Sequence, residues 1–349
     1  MMQRYALSVS YAGTRFNGWA IQPDPKLVTV CGAINSALTS LTGKGRHNGA
    51  VVSSRTDSGV HALLNTFHVD IARGRTSCQM HTVYNSTSTL PYLPKEIVGG
   101  INAKLKIEGL HRDILILGAL PVDSTSFHAR YSATSREYVY RIAPCLPQPS
   151  RITNPFGQFG LSGYDFDCVF TGDPNDSKEA YDDFRIMRDV GFTKRPLFEA
   201  QRAWCLEDHR PLDVDAMRRA ADHFQGTHDF TSFRGKNCTA NNPIRAVTSV
   251  NVDTLEMSPS PRSSDDPSTA GLAEHGHAVL PGTPLVTIEV IAPRFLQRMV
   301  RNIVGCLVSV GRRDLDPDDV PRILEVRDRR LTTYPCAPPH GLFLKNVTY

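Results

Sequence analysis

The amino-acid sequence predicts an α+β fold built on antiparallel sheet. Apolar residues alternate in several short segments, as in half-buried strands, and apolar residues at helical spacing lie between those segments. The second half of the chain repeats this order of elements, and a length of 349 residues suggests two domains. We therefore expect an N-terminal α+β domain over 1–145, an acidic insertion or linker over 146–205 and a C-terminal α+β domain over 206–349.

The first half of the chain carries a short series of strand and helix signals. Residues 5–9 alternate between large apolar and smaller side chains, which predicts a strand. Apolar residues at helical spacing over 30–41 predict a helix, and Gly43 marks its end. Further strands are predicted at 50–54, 66–71 and 138–142.

The second half carries a similar series. In chain order, the patterns predict a helix over 217–224, strands over 250–252 and 285–291, an amphipathic helix from Phe295 to Gly311, a short helix after Asp316-Pro317 and a last strand from Leu342. Arg294, Arg298 and Arg301 are spaced as one basic stripe opposite the apolar side of the helix that starts near Phe295. Segment 254–284 is rich in Ser, Pro, Gly and Asp, which predicts a loose loop.

Composition is ordinary for a globular protein, with 40% hydrophobic and 21% charged residues. No apolar run reaches about 18 residues, so we expect no membrane span. The start of the chain lacks an apolar signal core and a transit segment, and the eight cysteines form no CxxC pair. We therefore expect an intracellular, reducing compartment, either cytoplasmic or organellar. We also expect no metal site, since His275 and His277 lie in the predicted loop without metal-ligand spacing.

Charge is unevenly distributed along the chain. The net charge is +4, but residues 163–189 hold eight acids and three bases. Because that segment carries −5, the rest of the chain carries +9. The remainder can therefore present a basic face to phosphates.

One short loop combines an acid, a base and a glycine. The stretch RTDSGVHA occupies residues 55–62, between two predicted strands. Asp57 therefore lies on a loop between strands, where active-site residues are common. Arg55 can keep a neighbouring carboxylate ionised and steer an anion to it, and Gly59 permits close approach of a substrate or of backbone. Taken alone, the pattern fits an ordinary surface turn with an ion pair equally well.

Six sequence blocks, this loop among them, follow one another along the chain. They are YAGTRFNGW (11–19), RTDSGVHA (55–62), FHARYSATSREY (127–138), THDFTSF (227–233), MVRNIVG (299–305) and APPHGLFL (337–344). In this order they resemble the motifs of the TruA family of tRNA pseudouridine synthases. Asn65 and His340 suggest the eukaryotic pseudouridylate synthase-like branch.

The chain also departs from the family pattern. Ser58 stands where alanine is usual after the catalytic aspartate, and Ala20 stands where glutamine is common. Both changes are small. Segments 146–205 and 255–283 have no counterpart in compact family members, so the resemblance implies no role for them.

The resemblance implies two similar α+β domains with antiparallel sheets side by side, a central RNA-binding cleft, a tRNA substrate and a homodimer. Conversion of uridine to pseudouridine breaks the N1–C1′ bond and joins C5 to C1′. Because the rearrangement is redox-neutral, no cofactor is expected. A carboxylate can add covalently to the nucleoside and later leave, and Asp57 matches the family's catalytic aspartate. Whether it attacks the sugar or the base ring stays open.

Three further residues match family positions that handle RNA. Arg55 can take the space of a flipped uridine or neutralise a phosphate, or it can simply pair with Asp57. Tyr138 can stack on a flipped uracil or handle the C5 proton, or it can be a core residue beside Tyr140. Arg301 is expected to pair with Asp57 in the cleft, with a solvated helix face as the alternative.

These observations favour an isomerase that acts on uridine in tRNA. Two other functions stay open: a catalytically idle RNA-binding or RNA-folding protein on the same scaffold, and a glycosidase with paired carboxylates. Retention of Asp57, Arg55, Tyr138 and Arg301 favours the enzyme, because an idle relative is free to lose its carboxylate. No motif places a second acid near Asp57, and glycosidases usually require a pair.

Overall fold

The computed structural model describes residues 2–72, 91–143, 201–206, 210–255 and 285–349. Within these ranges the strands are β1 (Met2–Tyr11), β2 (Val51–Val52), β3 (His61–Ala72), β4 (Ile114–Val122), β5 (Ser135–Ala143), β6 (Trp204–Cys205), β7 (Gly226–Asp229), β8 (Ile244–Val247), β9 (Ser249–Leu255), β10 (Leu285–Ala292) and β11 (Leu342–Thr348). The α-helices there are α1 (Val30–Thr42), α2 (Pro94–Ile107), α3 (Val214–Asp222), α4 (Met299–Gly311) and α5 (Asp319–Val326).

Most of the described strands belong to one large sheet. Its central order is β4-β1-β3-β11-β5-β10-β9, with β2 paired to β3 and β6 paired to β5, while β7 and β8 pair separately. Two of the pairings, β11 with β3 and β5 with β6, are parallel, and the others are antiparallel. The predicted α+β class with mainly antiparallel sheet is confirmed.

The C-terminal strand β11 lies in the middle of this sheet, between β3 and β5. Leu344 of β11 is opposite Ala62 of β3 on one side and opposite Tyr138 of β5 on the other. The start of β3 and Tyr138 therefore lie in the same row of the sheet, one strand apart. This register brings the loop before β3 close to Tyr138.

Each half of the sheet has its own pair of helices. Helix α2 packs against α1 and β4, and α3 packs against α4 and β9. The start of α1 is capped by Thr29, whose side chain accepts a hydrogen bond from the Gly32 N–H at 3.2 Å. The predicted repetition of elements thus appears as two helix pairs on a shared sheet.

Helix α2 and strand β4 lie in a stretch for which the sequence patterns give no prediction. Helix α2 buries only Ile97, Ile101 and Leu105, and two adjacent glycines interrupt its periodicity. Strand β4 is an edge strand whose Leu115 and Leu117 are exposed, so its apolar residues show no contrast between two faces. Both elements form because tertiary packing outweighs a weak local pattern.

Helix α4 begins at Met299, four residues later than predicted. Arg298, just before it, has φ of +59°. This left-handed conformation is incompatible with a right-handed α-helix, so the helix cannot begin before Met299. Arg294 and Arg298 therefore precede the helix, and the predicted stripe of three arginines on one helix face is wrong. Arg301 alone of the three lies within α4.

Several sequence predictions concern parts of the chain outside the described residues. These are the acidic run 163–189, His275 and His277, and all but the ends of segments 146–205 and 254–284. The division into two domains stays a prediction. Among the described residues, no helix is long and apolar enough to cross a membrane, and no cluster of three His, Cys, Asp or Glu side chains could hold a metal ion.

Candidate active site

The loop that carries Asp57 joins β2 to β3 and is supported by the first sequence block. The Trp19 N–H donates a hydrogen bond to the carbonyl oxygen of Thr56 at 3.1 Å. Gly18 has φ of +83°, and a Cβ at this position would lie 2.8 Å from the same carbonyl oxygen. Glycine is required there because the two backbones approach too closely for any side chain.

A buried hydrogen-bond network fixes the loop from below. The Asn65 side-chain amide donates to the Ser54 carbonyl at 3.0 Å and to the Tyr11 hydroxyl at 3.2 Å. The Ser53 hydroxyl donates to the Asn65 side-chain oxygen at 2.8 Å, and the hydroxyls of Tyr11 and Thr56 are 2.8 Å apart. Burial raises the pKa of Tyr11 above its usual value, so its phenol stays protonated in this network. The loop backbone just before Asp57 is therefore held rigidly.

Asp57 and Arg301 face each other across the site. Arg301 Nη1 lies 3.7 Å from Asp57 Oδ2, and the two side chains are 11% and 30% exposed. Arg301 Nε also donates to the Ala337 carbonyl at 2.7 Å, and the Ala337 N–H donates back to the Arg301 carbonyl at 3.1 Å. One turn further along α4, a Cβ on Gly305 would clash with the Pro335 carbonyl oxygen. Residues 335–337 therefore pack closely against α4 and orient the Arg301 guanidinium towards the Asp57 carboxylate.

Tyr138 reaches the same loop from β5. Its phenol oxygen lies 2.8 Å from the Ser54 hydroxyl, and its ring packs edge-on against Phe295 with centroids 5.2 Å apart. Burial and, to a smaller extent, the negative charge of Asp57 raise the pKa of Tyr138 to about 12, while the Ser54 hydrogen bond acts in the opposite direction. The structure therefore brings Asp57, Arg301 and Tyr138, three of the four residues proposed from the sequence blocks, to one loop.

Arg55 is exposed beside this group and does not join it. Within the described residues, Arg55 makes no ion pair, and the charged partner of Asp57 is Arg301 instead. The simple alternative of an ion pair between Arg55 and Asp57 is therefore absent from this structure. The exposed side chain of Arg55 is free to meet a polyanion.

Sequence reasoning missed the role of Arg136, which holds several segments of the site together. Its guanidinium is buried and donates to the carbonyl oxygens of Ser53 at 3.1 Å, Arg130 at 2.8 Å, Ala133 at 3.0 Å and Pro293 at 2.7 Å. Strand alternation places it on the same side of β5 as the next residue but one, Tyr138. That shared face and its place in the block FHARYSATSREY (127–138) were the available signals.

His61 ends the loop and is held as a neutral imidazole. The Gly13 N–H donates to Nδ1 at 3.1 Å, and Nε2 donates to the Gln201 carbonyl at 3.0 Å. The ring is 4% exposed and stacks on Phe343 with centroids 4.6 Å apart. Burial is the largest of several causes that lower the pKa of His61 to about 4. Protonation of the ring would place a second hydrogen on Nδ1, which already accepts the hydrogen bond from the Gly13 N–H.

We expect this arrangement to make the fold sensitive to acid. Below pH 6.5 the unfolded chain binds a proton at His61 that the folded chain excludes, so the free energy of unfolding falls as pH drops from about 6.5 to about 4. His61 alone should lower the free energy of unfolding by up to about 3 kcal/mol over this pH range. Urea unfolding at a series of pH values measures it.

The control for this prediction is His61→Asn, whose side-chain oxygen can still accept from Gly13 but which cannot titrate. This variant should be less stable at pH 7 yet lose less stability between pH 6.5 and pH 4. His68, whose pKa burial also lowers to about 4, accounts for part of the slope that remains. An unchanged pH slope in the variant would exclude His61 as the source.

Comparisons with known proteins find one family model over part of the chain and relatives that cover nearly all of it. A family model described as tRNA pseudouridine synthase covers residues 220–349. The chain is 31% identical over 349 residues to tRNA pseudouridine synthase A of Allorhizobium ampelinum, covering all of this chain and 95% of that protein. It is also 31% identical over 350 residues to the Sinorhizobium fredii protein of the same name, at full length on both sides.

A mouse protein, tRNA pseudouridine synthase-like 1, is 31% identical over 349 residues, which span 99% of this chain and 94% of the mouse protein. These matches define the class of the chain, the pseudouridine synthases. Within that class, the chain belongs to the TruA family of tRNA pseudouridine synthases. The eukaryotic branch suggested by Asn65 and His340 thus has a mouse representative among the relatives, at the same identity as the two bacterial proteins.

Proposed function

We propose that this protein converts uridine to pseudouridine in tRNA, with Asp57 as the nucleophile and the target base flipped out of the RNA. The observation that carries the proposal is the Asp57 carboxylate, held 3.7 Å from Arg301 on a rigid loop in a chain of this family. The carboxylate adds to the nucleoside, the N1–C1′ bond breaks, and the uracil turns. C5 then bonds to C1′, N1 gains a proton, C5 loses one, and the carboxylate is released.

The neighbouring side chains have distinct roles in this proposal. Arg301 orients the Asp57 carboxylate through the 3.7 Å ion pair. Arg55 is exposed on the loop that carries Asp57, so it can enter the space that the flipped uridine leaves or bind its phosphate. Both roles require only the chain's own residues, in keeping with a redox-neutral rearrangement.

The direct test uses tRNA transcribed with uridine tritiated at C5. The purified protein should release tritium to water as pseudouridine forms, without added nucleotide or metal. Mapping of the modified nucleotides then identifies the target position. A preparation that binds tRNA but releases no tritium would contradict the proposal and favour an idle RNA-binding protein.

Tyr138 should act mainly through its phenol. The ring is only 6% exposed and makes a T-shaped contact with Phe295, so it offers little free surface for stacking on uracil. A protonated phenol can accept the C5 proton only while it passes on its own, and the Ser54 hydroxyl 2.8 Å away can take part in that transfer. We expect Tyr138→Phe to lower turnover by about 100-fold, close to the loss in Tyr138→Ala.

Tritium release under single-turnover conditions, with tRNA affinity measured in parallel, checks this prediction. Ser54→Ala is the matched control, because it removes the partner of the phenol while keeping the phenol. Ser54→Ala should lower turnover less than Tyr138→Phe does. Near wild-type turnover in Tyr138→Phe would assign Tyr138 to ring packing or stacking instead.

We further propose that the chain is organised as two similar units, 1–145 and 206–349, with RNA bound in a cleft between them. The separate helix pairs α1–α2 and α3–α4 support this, although β11 joins both halves of the sheet. Proteolysis within 146–205 should yield two fragments that stay associated.

A homodimer is proposed from the family resemblance and from the modest +4 charge of one chain. Light scattering should then give about twice the chain mass of 38.6 kDa.

A further inference from the structure

The turn at residues 128–132, between β4 and β5, presents an aromatic side chain to solvent. Tyr131 is 69% exposed, and the guanidinium carbon of Arg130 lies 5.9 Å from the centre of its ring. Within the described residues, the Tyr131 hydroxyl makes no hydrogen bond. The ring therefore contributes little to the stability of the core.

This turn is nevertheless rigid. The ring nitrogen Nδ1 of His128 accepts hydrogen bonds from the N–H groups of Arg130 at 3.2 Å and Tyr131 at 3.3 Å. The His128 ring also lies 4.4 Å from the Tyr131 ring and 4.6 Å from the ring of His68 on β3. A ligand of the Tyr131 ring would meet a preformed surface, so little ordering entropy would be lost on binding.

The turn is tied directly to the active-site loop. A single nitrogen, Nη2 of Arg136, donates to the Arg130 carbonyl at 2.8 Å and to the Ser53 carbonyl at 3.1 Å. Ser53 begins the loop that carries Asp57. The exposed ring therefore keeps a fixed position relative to the proposed nucleophile.

We propose that Tyr131 is a stacking platform for an unpaired base next to the target uridine, and that Arg130 binds the phosphate of that nucleotide. The inference rests on the proposed function, because a flipped uridine leaves its neighbours without one stacking partner. An exposed ring beside a cation suits such a base, since every base has a face that can stack and the cation neutralises its phosphate. The contact is tolerant of sequence, so it adds affinity without selecting one neighbouring base.

The test compares Tyr131→Ala, Tyr131→Phe and Arg130→Gln for tRNA affinity by filter binding and for tritium release. Tyr131→Ala should weaken binding by about ten-fold or more with an unchanged salt slope. Tyr131→Phe should stay within about two-fold of wild type, because the ring is retained. Arg130→Gln should lower the salt slope of binding by about one. Ile107→Ala, which removes a 78% exposed apolar side chain at the end of α2, is the matched control and should bind like wild type.

Two results would overturn the platform: binding by Tyr131→Ala within two-fold of wild type, or equal losses in Tyr131→Phe and Tyr131→Ala. The thermal unfolding midpoint of each variant shows whether an effect comes from misfolding, which an exposed residue should not cause. Wild-type turnover serves as the separate test of the proposed function. Absent tritium release by the wild type would contradict that function, whereas normal turnover with an unimpaired Tyr131→Ala contradicts the platform alone.

Discussion

Asp57→Asn is expected to lower pseudouridine formation by about four orders of magnitude or more, because the amide cannot serve as the nucleophile. Folding should be nearly unaffected, since Asp57 is partly exposed and its ion pair with Arg301 is long at 3.7 Å. Affinity for tRNA should also persist, because the surrounding basic side chains remain. Tritium release under single-turnover conditions measures the loss.

The matched control for this variant is Ser58→Ala. It changes the next residue of the same loop to the one usual in the family. In the part of the chain that the structure describes, the Ser58 hydroxyl makes a single hydrogen bond, of 3.3 Å, to the Phe16 carbonyl. Its turnover should be close to wild type. If Asp57→Asn retained turnover within ten-fold of wild type, the nucleophile would have to be another residue.

Arg301→Met is expected to lower turnover by about two orders of magnitude, the second largest effect among these variants. It removes the cation beside Asp57 and leaves the Ala337 carbonyl without its Arg301 donor. The unpaired carbonyl should also lower the free energy of unfolding by about 1–2 kcal/mol. Arg301→Lys should lie between wild type and Arg301→Met in turnover, because it keeps the charge but not the bond from Nε.

Single-turnover rates at saturating tRNA separate this effect from a loss of RNA affinity. Arg322→Gln on α5 is a suitable control, since it removes an exposed arginine whose one ion-pair partner among the described residues is Asp319, three residues away. Its rate and stability should match wild type. Equal turnover in Arg301→Met and wild type would show that the Asp57 carboxylate needs no partner.

Local patterns predicted those elements whose signals lie within a few residues. Helix α1 carries its cap at Thr29, its apolar periodicity and its stop at Gly43 in one continuous stretch. For α4, the sequence pattern predicts the end at Gly311 but not the start at Met299, because the left-handed turn at Arg298 depends on packing against distant backbone. Periodicity carries no information about such contacts.

The residues proposed for the site come from the sequence blocks rather than from periodicity. Asp57, Tyr138 and Arg301 are separated by 81 and 163 positions in the chain, and strand pairing brings the first two together through β11. Arg136 escaped prediction because an arginine in a strand is normally expected to be solvent-exposed, and its four carbonyl partners come from three segments: Ser53, the turn with Arg130 and Ala133, and Pro293. Buried charge of this kind is visible only in three dimensions.

The central place of β11 has a consequence for biosynthesis. During translation, β3 and β5 are made long before Leu342–Thr348, the segment that must lie between them. Until that segment leaves the ribosome, both strands present unpaired edges, which favour intermolecular association. A nascent chain would therefore lack the strand whose Leu344 lies between Tyr138 and the start of β3. Truncated products of aborted synthesis would keep these unpaired strand edges and would lack a complete active site. They would become substrates for chaperones and proteases before they could compete for tRNA.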